Sequence, residues 1–293
     1  MMRMLRSSAI LLAMLAGGAS AAPRRPAVIA HRGGMALRPE NTMAAFRHAV
    51  ALGAEILEFD MGVTADGRVI LHHNVSIDSA ICVPTGGAGL TVAPLIRSLT
   101  LAQIRDFDCG SRRPRGFPRQ QLSPGEHIPT LDEVVEAFRG RNVILFGETK
   151  MSADGSPYFV EPARFVAQVY TILKKYGAQR QFLLQSSDYR TLDEMRKLDP
   201  AVGTCLLGAR RFKPDYLSLA RKHNATHVML HFDDLADGDV GRLHAAGLKV
   251  YSSTADDSAS WRKYLALGMD GILTNDPAGL IGFLEEEGRS GAN

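Results

Sequence analysis

Ala27-Val28-Ile29-Ala30-His31-Arg32-Gly33-Gly34 is the stretch that decides the fold. Four apolar residues in a row suit a strand buried on both faces, as in a parallel sheet, and the run stops at a histidine, an arginine and two glycines. A dinucleotide-binding sheet would carry G-x-G-x-x-G here, and this chain does not. Seven further runs of strand length follow, at 54–61, 142–146, 181–185, 202–207, 226–230, 248–251 and 270–274. Between them the apolar residues recur at helical spacing. Thr42, Ala45, Phe46, Ala49 and Val50 follow Asn41, the expected helix cap, and Phe165, Val169, Ile172 and Leu173 repeat the pattern. Eight such units in about 250 residues predict an α/β chain closed into a (β/α)8 TIM barrel, with an open doubly wound sheet as the alternative.

The composition narrows the function. The 293 residues carry 34 Lys and Arg against 31 Asp and Glu, a formal charge of +3, with 45% hydrophobic and 22% charged residues. That balance excludes a disordered chain and a many-span membrane protein, and it leaves no basic footprint for nucleic acid. Residues 1–21 read differently. Arg3 and Arg6 precede an apolar run from Ala9 to Ala16, and Ala19-Ser20-Ala21 supplies small residues, so a signal peptide is expected. The run is short of the roughly 20 residues that span a bilayer, so no stable membrane insertion is expected. The barrel then occupies 22–293 of an exported, periplasmic or secreted protein. Export permits a disulfide, and Cys82 with Cys109 is the expected pair, closing a loop worth about 3–4 kcal/mol. Cys205, inside an apolar run, is expected to be a buried thiol. Residues 74–128 are too long for a plain connection and predict a small inserted subdomain after the second strand, above the catalytic face. The insert is basic at Arg112, Arg113, Arg115 and Arg119.

Reactive groups of such a barrel gather where its strands end. His31 and Arg32 end the first run, Glu58 and Asp60 the second, Glu148 and Lys150 the third. Spacing of two along a strand puts Glu58 with Asp60, and Glu148 with Lys150, on one face. Three carboxylates brought together repel by about 4 kcal/mol per close pair at a dielectric of 20, so a raised pKa or a bound cation must relieve them. An all-oxygen donor set without cysteine points to a hard divalent ion, Ca2+ or Mg2+, with interior salt bridges to Arg32 and Lys150 as the purely structural alternative. Past a turn at Thr64, Asp66 and Gly67, the chain returns through Val69-Ile70-Leu71 to His72 and His73. Alternation lets only one of the two histidines face the site.

These residues resemble the glycerophosphodiester phosphodiesterase family, whose pattern is H-R-G, P-E-N-T, E-x-D, T-x-D-G and a histidine. Here it reads His31-Arg32-Gly33, Pro39-Glu40-Asn41-Thr42, Glu58-Phe59-Asp60, Thr64-Ala65-Asp66-Gly67 and His73. Glu148-Thr149-Lys150 resembles the family's E-x-K, and 268–277 its closing G-x-D-G-I-x-T-D-x-P. The resemblance implies a barrel hydrolase with catalytic His31 and His73, phosphate contacts Arg32 and Lys150, and one divalent cation, Ca2+ or Mg2+, on Glu58, Asp60 and Glu148. It selects His73 over His72. It also implies a small-molecule or polymer-borne glycerophosphodiester as substrate, cleaved to glycerol 3-phosphate and an alcohol. The chain departs from the pattern in several places. The usual H-D is His73-Asn74, the usual S-F is Ser186-Ser187, and the late pocket Trp corresponds to Tyr251. Glu40 is a candidate support for the site or a helix-start residue, and His231, ending the sixth run, has no counterpart role. Two rival functions use the same residues: a phospholipase-D-like or lyase activity on lipid, and a non-catalytic phosphodiester binder, which has no need of both histidines.

Overall fold

The structure is a computed structural model that describes residues 25–86, 92–208 and 215–290, with no side-chain description at 290. The expected signal peptide, residues 1–21, lies outside the described residues. No helix among the described residues is long and apolar enough to cross a membrane.

All eight expected runs are strands. They are β1 (Ala27–Ala30), then after α1 (Met43–Leu52) β2 (Ile56–Val63), which turns back into the short β3 (Val69–Leu71). The insert contributes β4 (Val83–Pro84), α2 (Leu101–Ile104) and β5 (Phe107–Asp108). The barrel resumes with α3 (Leu131–Phe138), β6 (Ile144–Thr149), α4 (Pro162–Tyr176), β7 (Phe182–Ser186), α5 (Tyr189–Leu198) and β8 (Gly203–Leu207). It ends with α6 (Tyr216–Lys222), β9 (His227–Leu230), α7 (Asp239–Ala245), β10 (Lys249–Ser252), α8 (Ser258–Ala266), β11 (Gly271–Thr274) and α9 (Pro277–Ser290).

Closure rests on parallel pairing all the way round. β1 pairs β2 at Ile29 and Ile56, β2 pairs β6, and the ladder continues through β7, β8, β9 and β10 to β11, which returns to β1. Each strand sends one side chain into an inner layer: Ile29, Ile56, Phe146, Leu183, Cys205, Met229, Tyr251 and Leu273. The expected buried thiol is thus part of the barrel filling. Outward-facing residues such as Leu57, Phe59, Leu145 and Leu184 pack beneath the helices, with Phe46, Phe165 and Leu173 among their partners in the larger core. Filling the interior with one layer of apolar side chains leaves only the strand ends for polar chemistry.

The insert has a small core of Ile77, Ile81, Ile96, Ile104, Phe107 and Ile128, which packs on Ile70 of β3. The disulfide Cys82–Cys109 joins its two sides, and β4 and β5 pair antiparallel beside it. One expected cap is corrected. Thr42, not Asn41, caps α1, its hydroxyl accepting the Ala45 N–H, because Asn41 is turned the other way.

Candidate active site at the carboxyl ends of the strands

β1 ends in a turn of unusual backbone. Arg32, Gly33 and Gly34 all lie in the left-handed region, with φ of 50°, 83° and 89°. The chain can pass so close to α1 because Gly33 has no side chain; a Cβ there would lie 2.7 Å from that of Ala45. Arg32 is the strained member, since a non-glycine residue in this region costs on the order of 1–3 kcal/mol. Its conformation aims its main-chain N–H at Glu58 Oε2, 2.9 Å away.

Glu58, Asp60 and Glu148 are 2%, 1% and 7% exposed, and each offers an oxygen within 4.8 Å of the others. The register explains the meeting: Asp60 lies opposite Glu148 on adjacent parallel strands, and Glu58 is two residues before Asp60 on the same face. Two cations brace the cluster. Lys150 Nζ lies 3.0 Å from Asp60 Oδ1 and 2.9 Å from Glu148 Oε2. Arg32 Nε lies 3.1 Å from Asp60 Oδ2, outside hydrogen-bond alignment, while Nη1 donates to Glu40 Oε1 at 2.9 Å. Glu40 therefore supports the site by holding Arg32.

Burial raises the pKa of Glu58 and Glu148, because neither carboxylate has enough positive charge nearby to offset lost hydration. Asp60 goes the other way. Burial opposes its charge too, but Lys150 and Arg32 outweigh it and hold Asp60 below the usual carboxylate range. With all four acids ionised, Glu40 included, the site would hold two more negative charges than its two cations balance. One divalent cation supplies that charge, and carboxylate oxygens alone are the donor set of a hard ion, so the residues present fit such a group.

Both histidines reach this rim. His31 Nε2 is 4.0 Å from Glu58 Oε2, and its Nδ1 is 2.6 Å from Asn275 Oδ1. Burial, with Arg32 second, pushes the His31 imidazole down to about 4. His73 follows β3 and is half-buried. Burial lowers its pKa, partly countered by Asp60, while Lys150 and Arg32 lower it further, so it shares the field of the acid cluster. His72 faces elsewhere. It is 4% exposed, with Nε2 3.0 Å from the Ser76 carbonyl and 3.3 Å from the Asp78 amide nitrogen, and it holds the first turn of the insert.

One expected pocket residue is not here. Tyr251 belongs to the inner layer, its ring over Gly271, whose missing Cβ leaves that space. It lines a cleft of about 520 Å³ with Arg25, Glu55, His227 and Lys249, near the amino ends of strands and away from the acid cluster. His231 caps a short turn, its ring accepting the Asp233 N–H, a structural role. Two residues inside the quoted motifs carry site roles that the motifs alone do not assign. Asn41 donates to Asp60 Oδ2 at 3.0 Å and accepts the Asp60 N–H at 3.2 Å. Asn275 holds His31. Asn275 directly follows the last strand, so the rule that singled out His31 applies to it equally.

Relatives and solved structures agree with this architecture. A profile of the glycerophosphoryl diester phosphodiesterase family matches residues 31–279. A glycerophosphodiester phosphodiesterase of Caldanaerobacter subterraneus subsp. tengcongensis is 28% identical over 264 residues, spanning 89% of this chain and 98% of that protein. A crystal structure from Silicibacter pomeroyi, provisionally assigned as a glycerophosphoryl diester phosphodiesterase, superposes with a TM-score of 0.84 at 28% identity. It covers 91% of this chain and 95% of its own. A phosphodiesterase of Oleispira antarctica, solved in complex with the product sn-glycerol-3-phosphate, shares the fold with a TM-score of 0.74 at 24% identity, covering 89% of this chain and 97% of that one.

Proposed function

Since the chain belongs to the glycerophosphoryl diester phosphodiesterase family, we propose that it hydrolyses glycerophosphodiesters to glycerol 3-phosphate and an alcohol, using one Ca2+ or Mg2+, outside the cytoplasm. The observation that carries this reading is the meeting of Glu58, Asp60 and Glu148 within 4.8 Å of one another beside two imidazoles and two cationic side chains. A binder of phosphodiesters needs the cations; only turnover needs both histidines.

Glu58, Asp60 and Glu148 would hold the ion, which supplies Lewis acidity toward a phosphoryl oxygen. Lys150 spends two donors on Asp60 and Glu148, leaving a third for the phosphate, and Arg32 brings a second positive charge to the same place. His31 and His73 reach the rim from different elements, one to take a proton from the attacking hydroxyl and the other to give one to the departing oxygen. The exposed Arg112, Arg113 and Arg115 of the insert favour an anionic substrate, soluble or polymer-borne, over a neutral lipid surface. Export is supported by the disulfide, which suits an oxidising compartment.

Product analysis on a panel of glycerophosphodiesters tests the reading, with His31→Ala and His73→Ala alongside. Each variant should lose ~10²–10⁴-fold in kcat while calorimetry shows the cation still bound. Near-normal turnover in His73→Ala would remove the second proton-transfer group.

A further inference from the structure

Each of the two site histidines is held by an asparagine, and each asparagine by an aspartate. His31 Nδ1 lies 2.6 Å from Asn275 Oδ1, and Asn275 Nδ2 donates to Asp256 Oδ2 at 2.6 Å. The other oxygen of Asp256 accepts the Asn275 N–H at 2.7 Å and the Thr274 hydroxyl at 3.1 Å, which fixes the carboxylate. On the far side of the sequence, His73 Nδ1 lies 2.9 Å from Asn74 Oδ1, and Asn74 Nδ2 donates to Asp78 Oδ2 at 3.0 Å. The two chains are built from different loops and have the same order of groups.

That order dictates a protonation pattern. A carboxylate only accepts hydrogen bonds, so each asparagine must turn its NH2 to the aspartate and its carbonyl to the histidine. A carbonyl also only accepts, so Nδ1 of each ring must carry the hydrogen, and the lone pair of the neutral ring falls on Nε2. We propose that Asn275 and Asn74 are positioning residues that lock both histidines in the Nδ1–H tautomer, with each Nε2 free to exchange a proton with substrate. The catalytic meaning of this rests on the phosphodiesterase reading, although the tautomers themselves do not.

Turnover then needs one extra proton on one Nε2. That proton goes to the leaving oxygen as its bond to phosphorus breaks, while the other Nε2 takes the proton of the attacking hydroxyl as the new P–O bond forms. One ring loses a proton and one gains it, so the pair ends with the inventory it started with. An amide cannot relay a proton to its aspartate, so the asparagines orient the rings and take no part in the transfer.

Histidine-selective 15N NMR of the chelator-treated protein at pH 8, where the rings are neutral, reads the tautomers without any turnover. Nδ1–H signatures are expected for His31 and His73; an Nε2–H signature at either ring overturns the assignment there. Kinetics give a second readout. Asn275→Leu should lower kcat ~10²-fold with KM within a few-fold of wild type, and shift His31 toward the Nε2–H form. Asn275→Asp alone should be as poor, since it sets two carboxylates against each other. The polarity-reversed pair Asn275→Asp with Asp256→Asn restores an acceptor facing His31 and a donor behind it, and should recover kcat to within several-fold. Normal kcat in folded Asn275→Leu, or no recovery in the folded double variant, overturns the proposal. Wild-type protein that shows the Nδ1–H tautomers but cleaves no phosphodiester would instead defeat the functional reading alone.

Discussion

Asp60 is the residue around which the site is assembled. It accepts from Asn41, pairs with Lys150 and Arg32, and sits opposite Glu148 while 1% exposed. Its counterparts Glu58 and Glu148 are held less well and bind protons more readily. The buried histidines whose rings do not join this cluster give a separate, measurable consequence. Burial lowers His72 and His227 from 6.5 to about 4. As pH falls below 6.5 the unfolded chain takes up protons that the folded chain refuses. Their contribution is therefore intact above 6.5 and is lost between 6.5 and 4, by up to about 3 kcal/mol for each ring. Urea unfolding at pH 5 and pH 7 should show His227→Gln losing less of its midpoint on acidification than the wild type does; an identical pH dependence in the two proteins would mean that this ring is not held neutral. At this scale the strand-ending charges were legible because E-x-D and E-x-K spacing dictates a shared face. Asn41 was not, because an asparagine before a helix serves equally as a cap or as a bridge to a distant carboxylate, and only Asp60 across the gap decides. Tyr251 was misplaced because the direction of its ring is set by the space over Gly271, on a neighbouring strand.

The elements themselves were the most legible part. Every expected strand lies within a few residues of its run, since a parallel barrel strand must be apolar on both faces and a helix cannot be so continuously. The insert was visible only as a length and a composition. Its order comes from a satellite core and from the disulfide, which could be anticipated as a pair but not as the clamp between Ile81 and Phe107 and their neighbours. Cys82→Ser with Cys109→Ser should destabilise the protein by about 3–4 kcal/mol in the chain-entropy account. Because the lost constraint is local, limited proteolysis should cut within 74–128 before the barrel opens. Cleavage that begins in barrel helices instead, or an unchanged unfolding midpoint, would show that the insert does not depend on its cross-link. His73 and Asn74 lie at the root of this insert, so loosening it should also lower kcat more than it raises KM.

At the scale of the whole molecule, closure of eight parallel strands brings the first, second and third barrel strands side by side and returns the last to the first, which is how Asn275 reaches His31 across 244 positions of sequence. The barrel interior is apolar below and charged above, so charge accumulates at one rim with two more negative than positive groups. A divalent cation bound there should stabilise the fold as well as enable turnover, raising Tm in proportion to the logarithm of its concentration above Kd. The most direct test of the account is calorimetric titration of Ca2+ and Mg2+ into chelator-stripped protein, with glycerophosphodiester hydrolysis followed in the same samples. One ion should bind per chain, turnover should return as that site fills, and Asp60→Asn should lose both. Full turnover by the stripped protein, with no stoichiometric ion bound, would contradict it.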